Sequence, residues 1–274
     1  MVADDMINSE FWKGKKVFLT GHTGFKGSWL SIWLNSMGAV VKGYALEPLT
    51  NPNLFAIAGI EGLVESDIND IRDYAVLCAS ILEFSPDIVF HMAAQPLDRA
   101  SYEKPLETYE TNVMGTVNLL EAVRQCSSVK AVVNITTDKC YENNEWVWGY
   151  KETDVVGGKD IYSVTKSNIE NLARTYAETH SANSDLKIHT VRLGNVVGGA
   201  DWNKDRLMPD IIRSALQSKE FHLRMLGAER PFQHINDVVT GIFNIMHHII
   251  TPDALNYDNW NLGPKNNSYL AVET

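Results

Sequence analysis

The chain has 274 residues, enough for one large domain or two smaller ones with a substantial core. Apolar residues make up 45% and charged residues 21%, as in an ordinary soluble globular protein. The net charge of −10 argues against a general nucleic-acid binder or a protein that binds anionic membranes, although a local group of arginines could still hold an anionic small ligand.

No targeting or membrane segment is visible in the sequence. The first ten residues are rich in acidic side chains, and no apolar run reaches the roughly 18 residues of a membrane span. The cysteines Cys78, Cys126 and Cys140 lack the spacing of metal ligands. We therefore expect a cytoplasmic protein with reduced thiols and no bound metal.

The N-terminal part of the chain predicts a βαβ unit. Lys16–Thr20 has the pattern of a short buried strand, Ser28–Leu34 has helical apolar spacing, and Val40–Tyr44 has the pattern of a second strand. Between the first two elements lies a glycine-rich turn of the form GxxGxxG, which is typical of short-chain dehydrogenases. An ordinary βα loop is the alternative, but this context favours a dinucleotide site. The cofactor-binding candidates in the turn are Gly21, Thr23, Gly24, Phe25 and Gly27.

Alternating strands and helices continue to about residue 193. Further strands are predicted at 87–91, 131–136 and 188–193, and helices at 71–84, 108–126 and 163–180. This alternation predicts an α/β fold with a doubly wound parallel sheet, Rossmann-like, as an NAD-binding domain over residues 12–193.

A change of pattern follows residue 194. Helical stretches at 208–219 and 237–249 are separated by loops rich in glycine, proline, asparagine and tryptophan. We interpret residues 194–274 as a smaller substrate-binding lobe over the carboxyl ends of the strands. The sequence has no closing helix after Pro264, so we expect this lobe to be partly truncated and the chain to be a fragment.

The adenosine end of the cofactor is less clearly marked. Glu47 is the only acidic residue shortly after the second strand, and no arginine stands there for a 2′-phosphate, which favours NAD over NADP. Asp70 and Ile71 are candidates to contact the adenine edge, with a helix N-cap as the alternative for Asp70.

Small residues follow the next predicted strand. Ala93 and Ala94 would let a dinucleotide lie close to the backbone. Asn112, in the following helix, could help to anchor it, and a buried structural asparagine is the alternative.

Two groups of residues carry the predicted chemistry. Tyr162 and Lys166 are four residues apart, on one face of a helix, where the ammonium would lower the pKa of the phenol and let it act as a base. Thr137, Asp138 and Lys139 follow the strand at 131–136. A dehydrogenase needs only a hydroxyl at this place, whereas an adjacent acid and base are what an elimination requires. A solvated pair of loop residues is the alternative.

Several segments closely resemble the CDP-glucose 4,6-dehydratases, a family of extended short-chain dehydrogenases. The resemblance runs from Phe11 to Pro264, and its tryptophan-containing segments are far more specific than the superfamily motifs. The matching segments are Gly21–Gly27, His91–Leu97, Thr137–Asn143, Trp146–Glu152, Gly157–Gly158, Tyr162–Ser163, Gly194–Trp202, Asp205–Arg206 and Pro209–Asp210.

The resemblance implies a reaction on a nucleotide sugar with tightly held NAD. NAD would oxidise the sugar at C4, with Tyr162 as base and Thr137 as hydroxyl partner. Lys139 would remove the C5 proton while Asp138 protonates the leaving C6 hydroxyl, and the hydride would return to C6. The candidate substrate-binding residues are Gln95, Arg99, Asn195, Asp201, Trp202, Arg206 and Arg230, the last as a grip on the diphosphate.

Some positions depart from the family pattern. Asp98 stands where a small apolar residue usually precedes the arginine, and Phe232 replaces a tryptophan. Lys159 and Ile161 interrupt the family's Gly-Gly-aromatic-Asp-Pro-Tyr-Ser run. Sister dehydratases carry glutamate where Lys139 stands, which favours CDP-glucose as substrate.

Three other functions stay open, of which the first is a 4,6-dehydratase that acts on another nucleotide sugar. A nucleotide-sugar 4-epimerase shares the fold and the Tyr-Lys pair but needs no acid and base after the threonine. A non-catalytic NAD-binding homologue is the third. Relatives dimerise through two long helices, so a homodimer through 108–126 and 163–180 is expected, with intramolecular core as the alternative for those faces.

Overall fold

The structure, a computed structural model, describes residues 8–180, 185–223, 227–264 and 270–271. Its centre is a seven-stranded parallel sheet with the strand order β10-β6-β5-β4-β1-β2-β3. This order confirms the predicted doubly wound, Rossmann-like α/β fold. The strands of this sheet are β1 (Lys16–Thr20), β2 (Val40–Ala45), β3 (Glu65–Ile68), β4 (Ile88–His91), β5 (Ala131–Thr137), β6 (Lys187–Leu193) and β10 (Tyr257–Leu262).

Helices cover both faces of the sheet. The predicted helix at 108–126 is divided, because a π-helical turn at Glu110–Met114 separates two α-helical pieces. The helices are α1 (Ser9–Trp12), α2 (Phe25–Ser36), α3 (Leu54–Ile57), α4 (Tyr74–Phe84), α5 (Asp98–Glu103), α6 (Pro105–Tyr109), α7 (Gly115–Arg124), α8 (Ile161–His180), α9 (Leu207–Leu216) and α10 (Ile235–Ile249).

Two pairs of short strands lie outside this sheet. β7 (Asn195–Val197) pairs in parallel with β9 (Phe232–His234), and β8 (Glu229–Arg230) pairs antiparallel with β11 (Leu270–Ala271).

The core has two layers because each central strand is buried on both sides. In β1, Val17 and Leu19 face one cluster, while Phe18 faces the other. The first cluster contains side chains of α2 and α10, and the second contains side chains of α4, α7 and α8. Two-sided burial explains why β1 and β4 carry continuous apolar runs, at 17–19 and 88–90, rather than an alternating pattern.

The C-terminal part of the sheet was not predicted. Tyr257–Leu262 pairs in parallel with β6 along its whole length, and α10 packs its apolar face on the same sheet. Gly241 of α10 lies so close to Leu262 that an added Cβ would be 2.5 Å from its side chain. The predicted boundary between residues 193 and 194 therefore does not separate the sheet from a second lobe, since the chain returns to the sheet at α10 and β10.

The start of α4 also differs from the prediction. Asp73 is its N-cap, and its side chain accepts a hydrogen bond from the Val76 backbone N–H at 3.2 Å. The suggestion that Asp70 caps this helix is therefore wrong, because the cap lies three residues later.

Across the described ranges no helix combines the length and the apolar character that crossing a bilayer would require. The thiols of Cys78, Cys126 and Cys140 are free, and the last two are buried.

Candidate active site

A crevice lies at the carboxyl ends of the central strands. β1 pairs with β2 on one side and with β4 on the other, so the direction of winding reverses beside it, which is where open α/β sheets bind their ligands. The crevice contains two adjoining cavities, which share Lys26 and Tyr162 in their linings.

The first cavity brings together every predicted cofactor-binding residue except Asn112. They come from the glycine turn, the loop after β3, the end of β4 and helix α8. These residues are Gly21, Thr23, Gly24, Phe25, Gly27, Asp70, Ile71, Ala93, Ala94, Tyr162 and Lys166.

The glycine turn fits a dinucleotide. A Cβ on Gly27 would lie 2.1 Å from the Gly21 carbonyl oxygen, so helix α2 can approach the turn this closely only with glycine there. Gly21 has φ +78°, in the left-handed region that favours glycine. Gly24 caps α2 without a side-chain hydrogen bond, which leaves the first N–H groups of the helix for an anion such as a pyrophosphate.

Asn112 fits the structural alternative. Its side chain is buried; Oδ1 accepts from the Gln95 backbone N–H at 2.8 Å, and Nδ2 donates to Thr165 Oγ1 at 3.0 Å. It therefore holds the loop after β4 against α8.

At the adenosine end, Glu47 and Asp70 line the same cavity. The Asp70 carboxylate accepts from Nε of Arg72 at 2.9 Å, and this hydrogen bond holds the pKa of Asp70 below its usual range. Both carboxylates are thus placed as possible acceptors for ribose or adenine, and this role stays a prediction.

The catalytic candidates meet at the junction of the two cavities. Thr137 ends β5, and its side chain donates to Asp138 Oδ1 at 3.1 Å and lines the second cavity together with Tyr162. A 3-10 turn at Asp138–Cys140 carries the next two candidates. The ammonium nitrogen of Lys166 lies 5.9 Å from the centre of the Tyr162 ring. Because α8 begins at Ile161, Tyr162 and Lys166 do share one helical face.

The electrostatics of Tyr162 differ from the prediction. Burial, and next the negative charge of Asp98, raise the pKa of the Tyr162 phenol, while the positive charge of Arg206 lowers it. The pKa of Tyr162 is therefore raised overall, whereas the prediction was that the Lys166 ammonium would lower it. Burial lowers the pKa of Lys166 itself to about 8, although Glu170 acts in the opposite direction.

Asp138 and Lys139 have different surroundings. Burial raises the pKa of Asp138, against the Thr137 hydrogen bond and the charge of Lys139, so this carboxyl holds a proton more readily than a solvated one. Lys139 is half-exposed and forms an ion pair with Asp98. The two neighbours are therefore suited to different proton-transfer roles.

The second cavity contains most of the predicted substrate residues. Two of the predicted residues lie elsewhere: Trp202 lines the first cavity, and the Gln95 side chain donates to the Leu97 carbonyl and to Thr108 Oγ1, both at 3.0 Å. Those that line the second cavity, beside Thr137, Asp138, Lys139 and Tyr162, are Arg99, Asn195, Asp201, Arg206 and Arg230.

Lys26 is a site residue that sequence reasoning missed. It lines both cavities, and burial, followed by the positive charges of Arg206 and Lys166, lowers its pKa to about 7. Asp138 and Asp201 act in the opposite direction. A charged residue directly before the third glycine, where a helix starts at the ligand crevice, was the available signal.

Comparison with known proteins identifies the family. The model of the NAD dependent epimerase/dehydratase family matches residues 17–263, and the chain belongs to this family. It is 51% identical, over 98% of its length and 76% of the relative's, to a CDP-glucose 4,6-dehydratase of Salmonella typhimurium.

Solved structures show the same fold. UDP-glucose 4-epimerase of Thermotoga maritima, in a structure with UDP-glucose, has the same fold, with a TM-score of 0.80, 22% identity, and coverage of 94% of this chain and 79% of that one. MoeE5, solved with UDP-glucuronic acid and NAD, has a TM-score of 0.78, 26% identity, and coverage of 94% and 78%.

Proposed function

We propose that this protein converts CDP-glucose to CDP-4-keto-6-deoxyglucose with NAD as a resident cofactor, as a step in deoxysugar biosynthesis. The observation that carries the proposal is the meeting of Thr137, Asp138 and Lys139 with Tyr162 in one cavity. A dehydrogenase or an epimerase needs the threonine and the tyrosine, whereas the adjacent acid and base serve an elimination.

The cofactor would be held by the glycine turn, the loop after β3 and the end of β4, and it supplies the oxidation at C4 and the reduction at C6. The protein supplies the proton transfers. Tyr162, as the phenolate, takes the proton of the C4 hydroxyl, and the side chain of Thr137, which lines the same cavity, orients that hydroxyl.

The elimination uses the next two residues. Oxidation at C4 acidifies the C5–H bond. Lys139, whose half-exposed ammonium first gives a proton to solvent, takes the C5 proton as the neutral amine. The electron pair of that bond forms the C5–C6 double bond, and the C6 hydroxyl leaves as water with a proton from Asp138. The raised pKa of the buried Asp138 suits it to give this proton.

The choice of CDP-glucose rests on the Salmonella relative, with which the chain shares 51% identity over 98% of its length. The second cavity contains Arg99, Arg206 and Arg230, which give an anionic diphosphate three guanidinium groups in a protein of net negative charge. We assign substrate binding to this cavity and hence to the segment that follows residue 194.

A homodimer is part of the same proposal. Large apolar side chains of the segment from α5 to α7 are exposed, and one of them, Leu106, is 78% exposed. Association through this segment and α8 would cover them. The others on this segment are Tyr102, Tyr109 and Met114.

The test is incubation of the purified protein with CDP-, UDP- or dTDP-glucose and detection of the 4-keto-6-deoxy product by mass spectrometry. We expect product from CDP-glucose. Tyr162→Phe should block both C4 oxidation and product formation, whereas Lys139→Met should still oxidise C4 and should accumulate the 4-keto sugar that retains its C6 hydroxyl. A 4-epimer in place of the keto sugar would refute the proposal.

A further inference from the structure

The ion pair between Asp98 and Lys139 joins two sides of the substrate cavity. Asp98 is the first residue of α5, and Lys139 lies in the 3-10 turn after β5, 41 positions along the chain. Both side chains line the second cavity, in which Thr137, Asp138 and Tyr162 also lie. The contact thus involves Lys139, to which the proposed function assigns a proton transfer.

The backbone that carries Asp98 is fixed. Gln95 Oε1 accepts from the Leu97 N–H at 2.7 Å, and Gln95 Nε2 donates to the Leu97 carbonyl at 3.0 Å. Asn112 Oδ1 accepts a hydrogen bond from the backbone N–H of Gln95 at 2.8 Å. Ser101 Oγ donates to the Asp98 carbonyl at 2.6 Å. These hydrogen bonds fix the backbone from which the half-exposed Asp98 side chain extends.

Lys139 has no comparable support of its own. Its side chain is 48% exposed, and a lysine has four rotatable bonds whose ordering costs about 2 kcal/mol. Within the described residues, the Lys139 ammonium is ordered by its ion pair with Asp98. The pair itself adds little to stability, because exposed ion pairs contribute about 0–1 kcal/mol. Its effect is therefore on the position of the amine rather than on folding.

We propose that Asp98 is a positioning residue for the elimination step: it holds the Lys139 side chain over the reacting sugar and stabilises the ammonium that forms there. This inference rests on the proposed function. The ion-paired Lys139 is an ammonium, so its half-exposed side chain first gives a proton to solvent. When the resulting amine takes the C5 proton, an N–H bond forms, the C5–H bond breaks, and the nitrogen regains its positive charge. The Asp98 carboxylate then faces an ammonium, as an aspartate faces the imidazolium of a catalytic triad.

The same carboxylate acts in the opposite direction on the oxidation step. The negative charge of Asp98 raises the pKa of Tyr162, so its removal makes the phenol easier to deprotonate. The variant Asp98→Asn should therefore leave C4 oxidation unchanged or faster, while it slows the elimination. A general disturbance of the site would slow both steps, so this opposite response separates positioning from damage.

The experiment compares Asp98→Asn, Asp98→Glu and wild type in rapid-quench reactions with CDP-glucose in D2O. We follow by mass spectrometry the 4-keto sugar that retains its C6 hydroxyl, the 4-keto-6-deoxy product and the deuterium at C5. In Asp98→Asn we expect product formation to fall about 10- to 100-fold with little change in KM, and the 4-keto sugar to accumulate. Asp98→Glu, which keeps the charge, should recover much of the rate.

A matched control is Glu107→Gln. Glu107 forms an exposed ion pair with Lys104 at 3.0 Å at the start of the neighbouring helix, so the substitution removes the same kind of charge without reaching Lys139. It should leave both steps unchanged. Product formation by Asp98→Asn at the wild-type rate, or an equal loss of both steps, would overturn the inference. Absence of product from wild type would instead refute the proposed function.

Discussion

Arg192 donates from Nη2 to Oε2 of Glu170 at 2.9 Å, and both side chains are almost completely buried. Glu170 also accepts hydrogen bonds from the hydroxyls of Thr136 and Thr190. It lies one helical turn after Lys166, on the face of α8 that is turned to the sheet. The pair therefore ties the catalytic helix to β5 and β6 directly behind the proposed site.

Removal of one member of this pair should destabilise the protein strongly. Arg192→Met leaves the Glu170 carboxylate buried without its cation, which costs about 3–5 kcal/mol in comparable cases. We expect this loss in the free energy of unfolding measured with urea. The control is Arg124→Met, in the exposed pair with Glu121, which should change stability little. Equal effects of the two variants would contradict this account.

Lys26 should make stability depend on pH. Its pKa is about 7 in the folded protein and 10.5 in the unfolded chain, so between these values the unfolded chain binds more protons, and stability rises with pH. Lys26→Met removes the free-energy cost of holding this ammonium in the folded protein. We expect it to stabilise the protein by on the order of a few kcal/mol near pH 7, with the gain vanishing as pH rises through 10.5.

Thermal unfolding at several pH values measures this gain. Lys219→Met, at an exposed lysine outside both cavities, is the control and should show no pH-dependent gain. A gain in stability from Lys26→Met that stays constant over the whole pH range would show that the folded protein does not lower the pKa of Lys26.

Gly27→Ala should abolish the close contact between α2 and the glycine turn. The new Cβ would lie 2.1 Å from the Gly21 carbonyl oxygen, so the turn must move. We expect a loss of about 1–3 kcal/mol or more in stability and loss of NAD binding, measured by equilibrium dialysis. Gly62→Ala, where a Cβ meets nothing within 4 Å, is the control and should bind NAD normally.

Asp70 and Asp73 should have separable roles. Asp73→Ala removes the cap of α4 and should cost about 1 kcal/mol of stability without changing NAD affinity. Asp70→Ala should weaken NAD binding, since its carboxylate lines the first cavity, and should change stability less. The opposite assignment, with NAD affinity lost in Asp73→Ala alone, would contradict the proposed adenosine contact.

Sequence alone predicted most of the sheet that positions the site. The short apolar runs of β1 and β4 and the mostly apolar β5 mark buried strands, and the glycine turn marks the ligand edge. β6 was predicted as well, although its sequence, Lys-Ile-His-Thr-Val-Arg-Leu, is not a continuous apolar run. β3, with the sequence Glu-Ser-Asp-Ile, and β10, with Tyr-Asp-Asn-Trp-Asn-Leu, were missed, because edge strands carry polar residues that give no such run.

The types and spacing of the candidate site residues are local properties, so the sequence determined them: three glycines at a helix start, a Tyr-Lys pair four residues apart, and an acid and base after a strand. Their electrostatic state was decided by the tertiary structure, because burial and charge depend on segments far apart in the chain. Asp98 acts on Tyr162 and Lys139 only after folding, and the pKa of Lys26 falls only when the side chain is buried and lies beside Arg206 and Lys166. Desolvation and proximity, the causes of these shifts, do not exist before the chain is packed.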